Sequence, residues 1–207
     1  QEINFGRTTK DLDIVLIVEA QTKEFGERFW QFIKDGRYRI RAKSNGKPQL
    51  YRFDKPEEDR FPQMIELFSR TDYLLKEEDG LTPIHIDDSV SSLSAILLNE
   101  AYYQALLEGR KIVMGISVLK PEWTIPFKAK AWLDLREKQD ADSSDVKKHR
   151  NDIIRIASEI VLEKCTLPKE VKKDMEHFLD EFEVTEAELK SLKIHGVKPA
   201  DVKEILT

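Results

Sequence analysis

The chain has 207 residues, 40% of them hydrophobic and 35% charged, with a net charge of −5. That is enough chain to bury a core without disulfide or metal staples, and the negative balance speaks against a protein that coats nucleic acid through a bulk positive field while leaving room for a local basic groove. Cys165 is the only cysteine, so no intrachain disulfide is possible; this fits a reducing, cytoplasmic compartment. No apolar run approaches the ~20 residues of a membrane helix, and the polar N-terminus has no signal-peptide pattern, so no membrane partner is expected.

In chain order, Asp11 to Glu19 reads as a buried strand, because Ile14 to Val18 is continuous and β-branched. Thr22 to Asp35 reads as an amphipathic helix with Phe25, Phe29, Phe32 and Ile33 on one stripe, closed by Gly36. Tyr38 to Lys43 alternates like a strand, Asn45-Gly46 signals a hairpin turn, and Gln49 to Asp54 is the return strand. Phe61 to Ser69 is a further apolar segment, and Pro83 to Leu98 holds one or two more strands. Asn99 caps a helix that runs to about Glu108 and closes at Gly109, and Ile112 to Leu119 reads as a last strand.

From Pro121 the pattern turns helical. Phe127 to Lys138 and Ser144 to Lys164 are helices, Pro168 stands near the start of a third, and Thr185 with Glu188 forms a capping box for a fourth. The expected fold is therefore mixed α/β (α+β). A sheet flanked by helices spans residues 1–119, and a helical region spans 120–207.

The chemically informative stretch is Arg7-Thr8-Thr9-Lys10-Asp11-Leu12-Asp13. Asp11 and Asp13 open a strand, whose period of two puts both on one face, about 6.5 Å apart along the chain. Two hard oxygen ligands at that spacing suit Mg²⁺, which takes one or two carboxylates and leaves its other positions to water and phosphate. A solvated strand end with no role is the bland alternative. Arg7 and the two threonines just before the pair suit a phosphate-facing loop. Glu66, flanked by two apolar residues on each side, looks like a charge carried on a buried strand; an edge strand with Glu66 turned to water is the alternative. A third carboxylate beside an Asp pair is what two-metal nucleotidyl transfer needs. On the helices, Lys128 lines up with Trp132 and Leu135, Lys130 with Asp134, and Lys148 with Asp152. His149 falls on an apolar stripe, where a satisfied core histidine is the ordinary outcome.

Together these residues resemble the nucleotidyltransferases of the polymerase-beta superfamily, closest to the bacterial abortive-infection nucleotidyltransferase toxins and their uncharacterised relatives. The order is Arg7-x-Thr9-x-Asp11-Leu12-Asp13, an apolar–acid–apolar strand around Glu66, then Lys128 and Lys148-x-x-x-Asp152 on helices, and it spans roughly residues 5 to 156. The resemblance implies a nucleotidyltransferase-like sheet. It implies that Asp11 and Asp13 bind the Mg²⁺ or Mn²⁺ that carries an NTP, and that Glu66 stands where the third catalytic and metal-binding carboxylate belongs. Arg7, Thr9, Lys128, Lys148 and Asp152 would then line the nucleotide cleft.

Two departures stand out. The family's Gly-Gly or Gly-Ser pair lies about ten residues before the Asp pair, whereas Gly6 is five before Asp11, so that element is expected upstream of Gln1. The third acid is glutamate where the family has aspartate. The expected function is transfer of a nucleoside monophosphate from an NTP to a hydroxyl of RNA, protein or a small molecule, as a toxin of a toxin–antitoxin pair with an antitoxin protein as partner. The alternatives are a catalytically decayed module of the same fold that binds a protein partner, and a metal-dependent nuclease.

Overall fold

The computed structural model describes residues 11–15, 23–42, 48–70, 81–84, 93–137 and 143–207. The chain packs as two units, residues 8–103 and 104–207. The division falls inside the helix α2 (Glu100–Gly109). The protein is mixed α/β, as expected.

The first unit is a sheet of β1 (Asp11–Val15), β2 (Arg39–Ala42), β3 (Pro48–Asp54), β4 (Met64–Arg70), β5 (Leu81–Ile84) and β6 (Leu93–Leu98), with one helix, α1 (Lys23–Asp35). Strand β4 is its centre. It pairs antiparallel with β3 over Met64–Glu66, and parallel with β1 over Met64–Phe68 and with β6 over Phe68–Arg70. In-register partners point to the same side of a sheet. One face therefore carries Phe53, Ile65 and Leu67, which are fully buried beneath Phe29 and Ile33 of α1. The Phe29 and Phe53 rings meet edge-on at 5.6 Å.

Helix α1 does end around Gly36, but for a different reason than the sequence suggests. The left-handed residue is Arg37 (φ 47°), with Tyr38 N–H donating to Ile33 O and Arg37 N–H to Lys34 O, the paired bonds of a Schellman ending. Gly36 is required by close approach instead: a Cβ there would stand 2.6 Å from the Tyr38 ring. The Tyr38 hydroxyl donates to Pro62 O at 2.7 Å, and burial pushes its pKa up to about 12. The turn expected at Asn45-Gly46 lies outside the described residues, but β2 and β3 pair antiparallel as a hairpin should.

At the end of the first unit, Asn99 Oδ1 accepts from Tyr102 N–H at 3.0 Å, the cap expected for α2. In the second unit, residues 110–119 are not one strand but a hairpin. Strands β7 (Arg110–Val113) and β8 (Ile116–Leu119) turn at Met114-Gly115, both at positive φ. Helix α3 (Pro121–Glu137) begins six residues earlier than the periodicity implies and contains Pro126. Helices α4 (Ser143–Glu159), α5 (Lys169–Glu181), α6 (Glu186–Ser191) and α7 (Pro199–Leu206) complete the unit, and α6 starts with the expected Thr185–Glu188 capping box. Their core joins Ile125, Ala129 and Trp132 of α3 to Ile153 and Ala157 of α4 and Phe178 of α5. Trp132 and Phe178 meet edge-on at 5.3 Å, a geometry aromatic quadrupoles favour. No helix among the described residues is long and apolar enough to cross a membrane.

Candidate functional site

The face of the first sheet opposite its apolar core is charged, and the register orders that charge into rows. Position 13 on β1 stands beside Glu66 on β4, and Glu66 stands beside Arg52 on β3. In the neighbouring row, position 11 stands beside Met64, then Asp54, then Arg39 on β2. The alternation that sets positions 12 and 14 in register with Ile65 and Leu67, on the α1 side, is what leaves positions 11 and 13 on this side. The sheet thus brings the three expected acidic positions onto one face, with 13 and 66 directly adjacent.

Glu66 is not on an edge strand. Its side chain is 13% exposed, and it is met by the Arg52 guanidinium. Arg52 Nε donates to Glu66 Oε1 at 2.5 Å, and its Nη2 bonds the same oxygen. A buried carboxylate needs such a partner, because desolvation otherwise outweighs any gain. Both of these bonds fall on Oε1. Arg39 treats Asp54 similarly, with Nε–Oδ1 at 2.8 Å and Nη2–Oδ2 at 3.0 Å, a bidentate pair. Arg52 and Arg39 are the residues the sequence reading misses. Their signal is their place on strands flanking an acid, legible only once the register is known.

In the second unit, Lys128 and Asp152 are also brought together. Lys128 Nζ on α3 donates to Asp152 Oδ2 on α4 at 2.8 Å, both side chains largely buried. Lys148 is partly exposed on α4, one turn before Asp152. Lys130 pairs with Asp134 within α3, the ordinary surface pair expected, and that hydrogen bond raises the lysine's pKa. Arg7 and Thr9 lie outside the described residues, as do the side chains of Asp11 and Asp13. Among the described residues, no three His, Cys, Asp or Glu side chains gather as a metal site.

Cysteine chemistry finds no support. Burial pushes the Cys165 thiol up, Glu122 pushes it further, and Lys120 only partly opposes them; a thiol held protonated is a poor nucleophile.

No family model matches the chain, and no curated protein and no solved structure is detectably similar to it.

Proposed function

We propose that this chain is a metal-dependent nucleotidyltransferase that moves a nucleoside monophosphate from an NTP to a hydroxyl of an acceptor: RNA, a protein side chain or a small molecule. The observation that carries the reading is the parallel pairing of β1 with β4, which sets position 13 beside Glu66 with position 11 on the same face. Three carboxylate positions on one sheet face are the arrangement that phosphoryl transfer through divalent metal requires. Mg²⁺ or Mn²⁺ bound there would neutralise charge on the attacking and leaving oxygens. In this reading Asp11 and Asp13 hold the ion that carries the triphosphate. Glu66 takes the proton of the attacking hydroxyl, its Oε1 fixed by Arg52. The acceptor oxygen bonds to the α-phosphorus, and the bond to the β-phosphate breaks to release pyrophosphate. Arg7 and Thr9, just before the Asp pair, keep their roles toward the nucleotide as part of the proposal. So does action in the cytoplasm as a bacterial toxin countered by an antitoxin.

One pair of contacts favours a second reading, a decayed module of the same fold that acts by binding a protein. Glu66 and Lys128 are each already neutralised from within the chain. The two readings part on a single experiment. The full chain is incubated with each radiolabelled NTP, Mg²⁺ and a cell extract. Label transferred by the wild type, and lost in Asp11→Asn and Glu66→Gln variants with native circular dichroism, supports the enzyme. No transfer from any NTP leaves the binding module.

A further inference from the structure

The second unit exposes two features of opposite character side by side. The first is the β7–β8 hairpin. Its residues Ile112, Val113, Ile116 and Val118 are exposed, and Met114 at the tip is 97% exposed. The register puts Val113 and Ile116 on one face and Ile112 on the other, so the ribbon is apolar on both sides. Its ten residues contain Arg110 and Lys111 and no acid. Among the described residues no further strand pairs with either edge, and a ribbon with open edges and aliphatic side chains on both faces is a liability unless something covers it.

The second feature is a groove of about 1180 Å³ among the ends of α3, α4, α5 and α7. Its floor is aliphatic, including Ile125, Ile160, Leu162 and Leu179, and Val161 on its rim is 98% exposed. Its charged lining is five glutamates against two lysines. The two features adjoin, because Lys120, the residue after β8, lies 3.6 Å from Glu163 and 4.0 Å from Glu122, both of which line the groove.

We infer that the occupant of this groove is the hairpin of a second copy of the chain, in a two-fold dimer where each hairpin lies in its partner's groove. Charge complementarity selects that occupant: a cationic, acid-free, apolar ribbon matches an apolar groove lined by an excess of carboxylates. Adjacency supplies the symmetry. A two-fold interface uses the same patch twice, so its complementary halves must be neighbours on each protomer, as these are. The exposure of the hairpin means that it is not seated in its own chain's groove. The inference does not depend on the nucleotidyltransferase reading.

The test is sedimentation of the full chain over a dilution series, for wild type, Met114→Asp in the hairpin and Val161→Arg on the groove rim. Both sites are exposed, so both variants are expected to fold, with circular dichroism as the check. The wild type should sediment as a dimer that dissociates on dilution and with added salt. Each variant alone should dimerise at least about tenfold more weakly, as loss of a central apolar contact gives. Mixing the two variants should restore dimer, since the Val161→Arg copy brings an intact hairpin and the Met114→Asp copy an intact groove. A wild type monomeric throughout overturns the inference. So does a dimer indifferent to either substitution, or a mixture of variants that stays monomeric.

Discussion

Lys128 Nζ donates a 2.8 Å hydrogen bond to Asp152 Oδ2, tying α3 to α4. Two positions singled out in the sequence for a shared role in a nucleotide cleft are thus first of all partners of each other. The pair is largely buried, so removing one member strands the other charge away from water.

Lys128→Ala should therefore destabilise the helical unit by about 1–3 kcal/mol, the cost of an unsatisfied buried polar group. Lys130→Ala removes only a half-exposed pair within one helix and should change stability by less than ~0.5 kcal/mol. Urea unfolding of the two variants measures the difference, and equal midpoints would contradict the assignment of Lys128 to the interior.

The second prediction concerns the sheet. Arg52→Ala leaves Glu66 buried without its guanidinium and should cost about 1–3 kcal/mol. The double variant Arg52→Ala/Glu66→Gln should cost less than the sum of the singles by at least ~0.5 kcal/mol, because residues in contact couple. Strict additivity in a double-mutant cycle would mean that the two side chains do not interact.

The third prediction is a pH dependence. Hydrogen bonding from Arg150 foremost, then the Thr185 cap and the nearby guanidinium charge, holds the Glu188 carboxyl below its ordinary range against an opposing desolvation. A folded-state pKa lowered in this way gives stability that is present above the unfolded value, about 4.3 for glutamate, and is lost as pH falls through the folded value. Thermal melts from neutral to acid pH should show the wild type losing stability below roughly pH 4.3 more steeply than Glu188→Gln. Parallel curves would rule out Glu188 as a contributor to acid sensitivity.

Local chemistry was legible wherever a signal is completed within a few residues. Asn99 and the Thr185–Glu188 box cap their helices as read, because a cap needs only the next turn of chain. The continuous segment 112–119 reads as one strand because a hairpin apolar on both faces lacks the alternation that marks a strand pair. The start of α3 was placed too late because Pro126 inside a helix removes a hydrogen bond and is ordinarily a breaker; here the helix continues through it. The C-terminal end of α1 shows the same limit: the sequence marks Gly36, whereas the left-handed conformation falls on Arg37. In the candidate site the acids were legible by type and spacing. Arg52, the partner of Glu66, and the Arg39–Asp54 pair beside it were not, because a cross-strand ion pair depends on register, which is set by the whole sheet.

The central claim is that Asp11 and Asp13, on the face shared with Glu66, hold a divalent ion that carries an NTP. Calorimetric titration of an NTP into the full chain, with Mg²⁺ and with the metal chelated away, tests it most directly. The account predicts binding that requires Mg²⁺ in the wild type and is lost in Asp11→Asn with the fold intact by circular dichroism. Equal affinity with and without the metal, or an Asp11→Asn variant that binds as the wild type does, would contradict it.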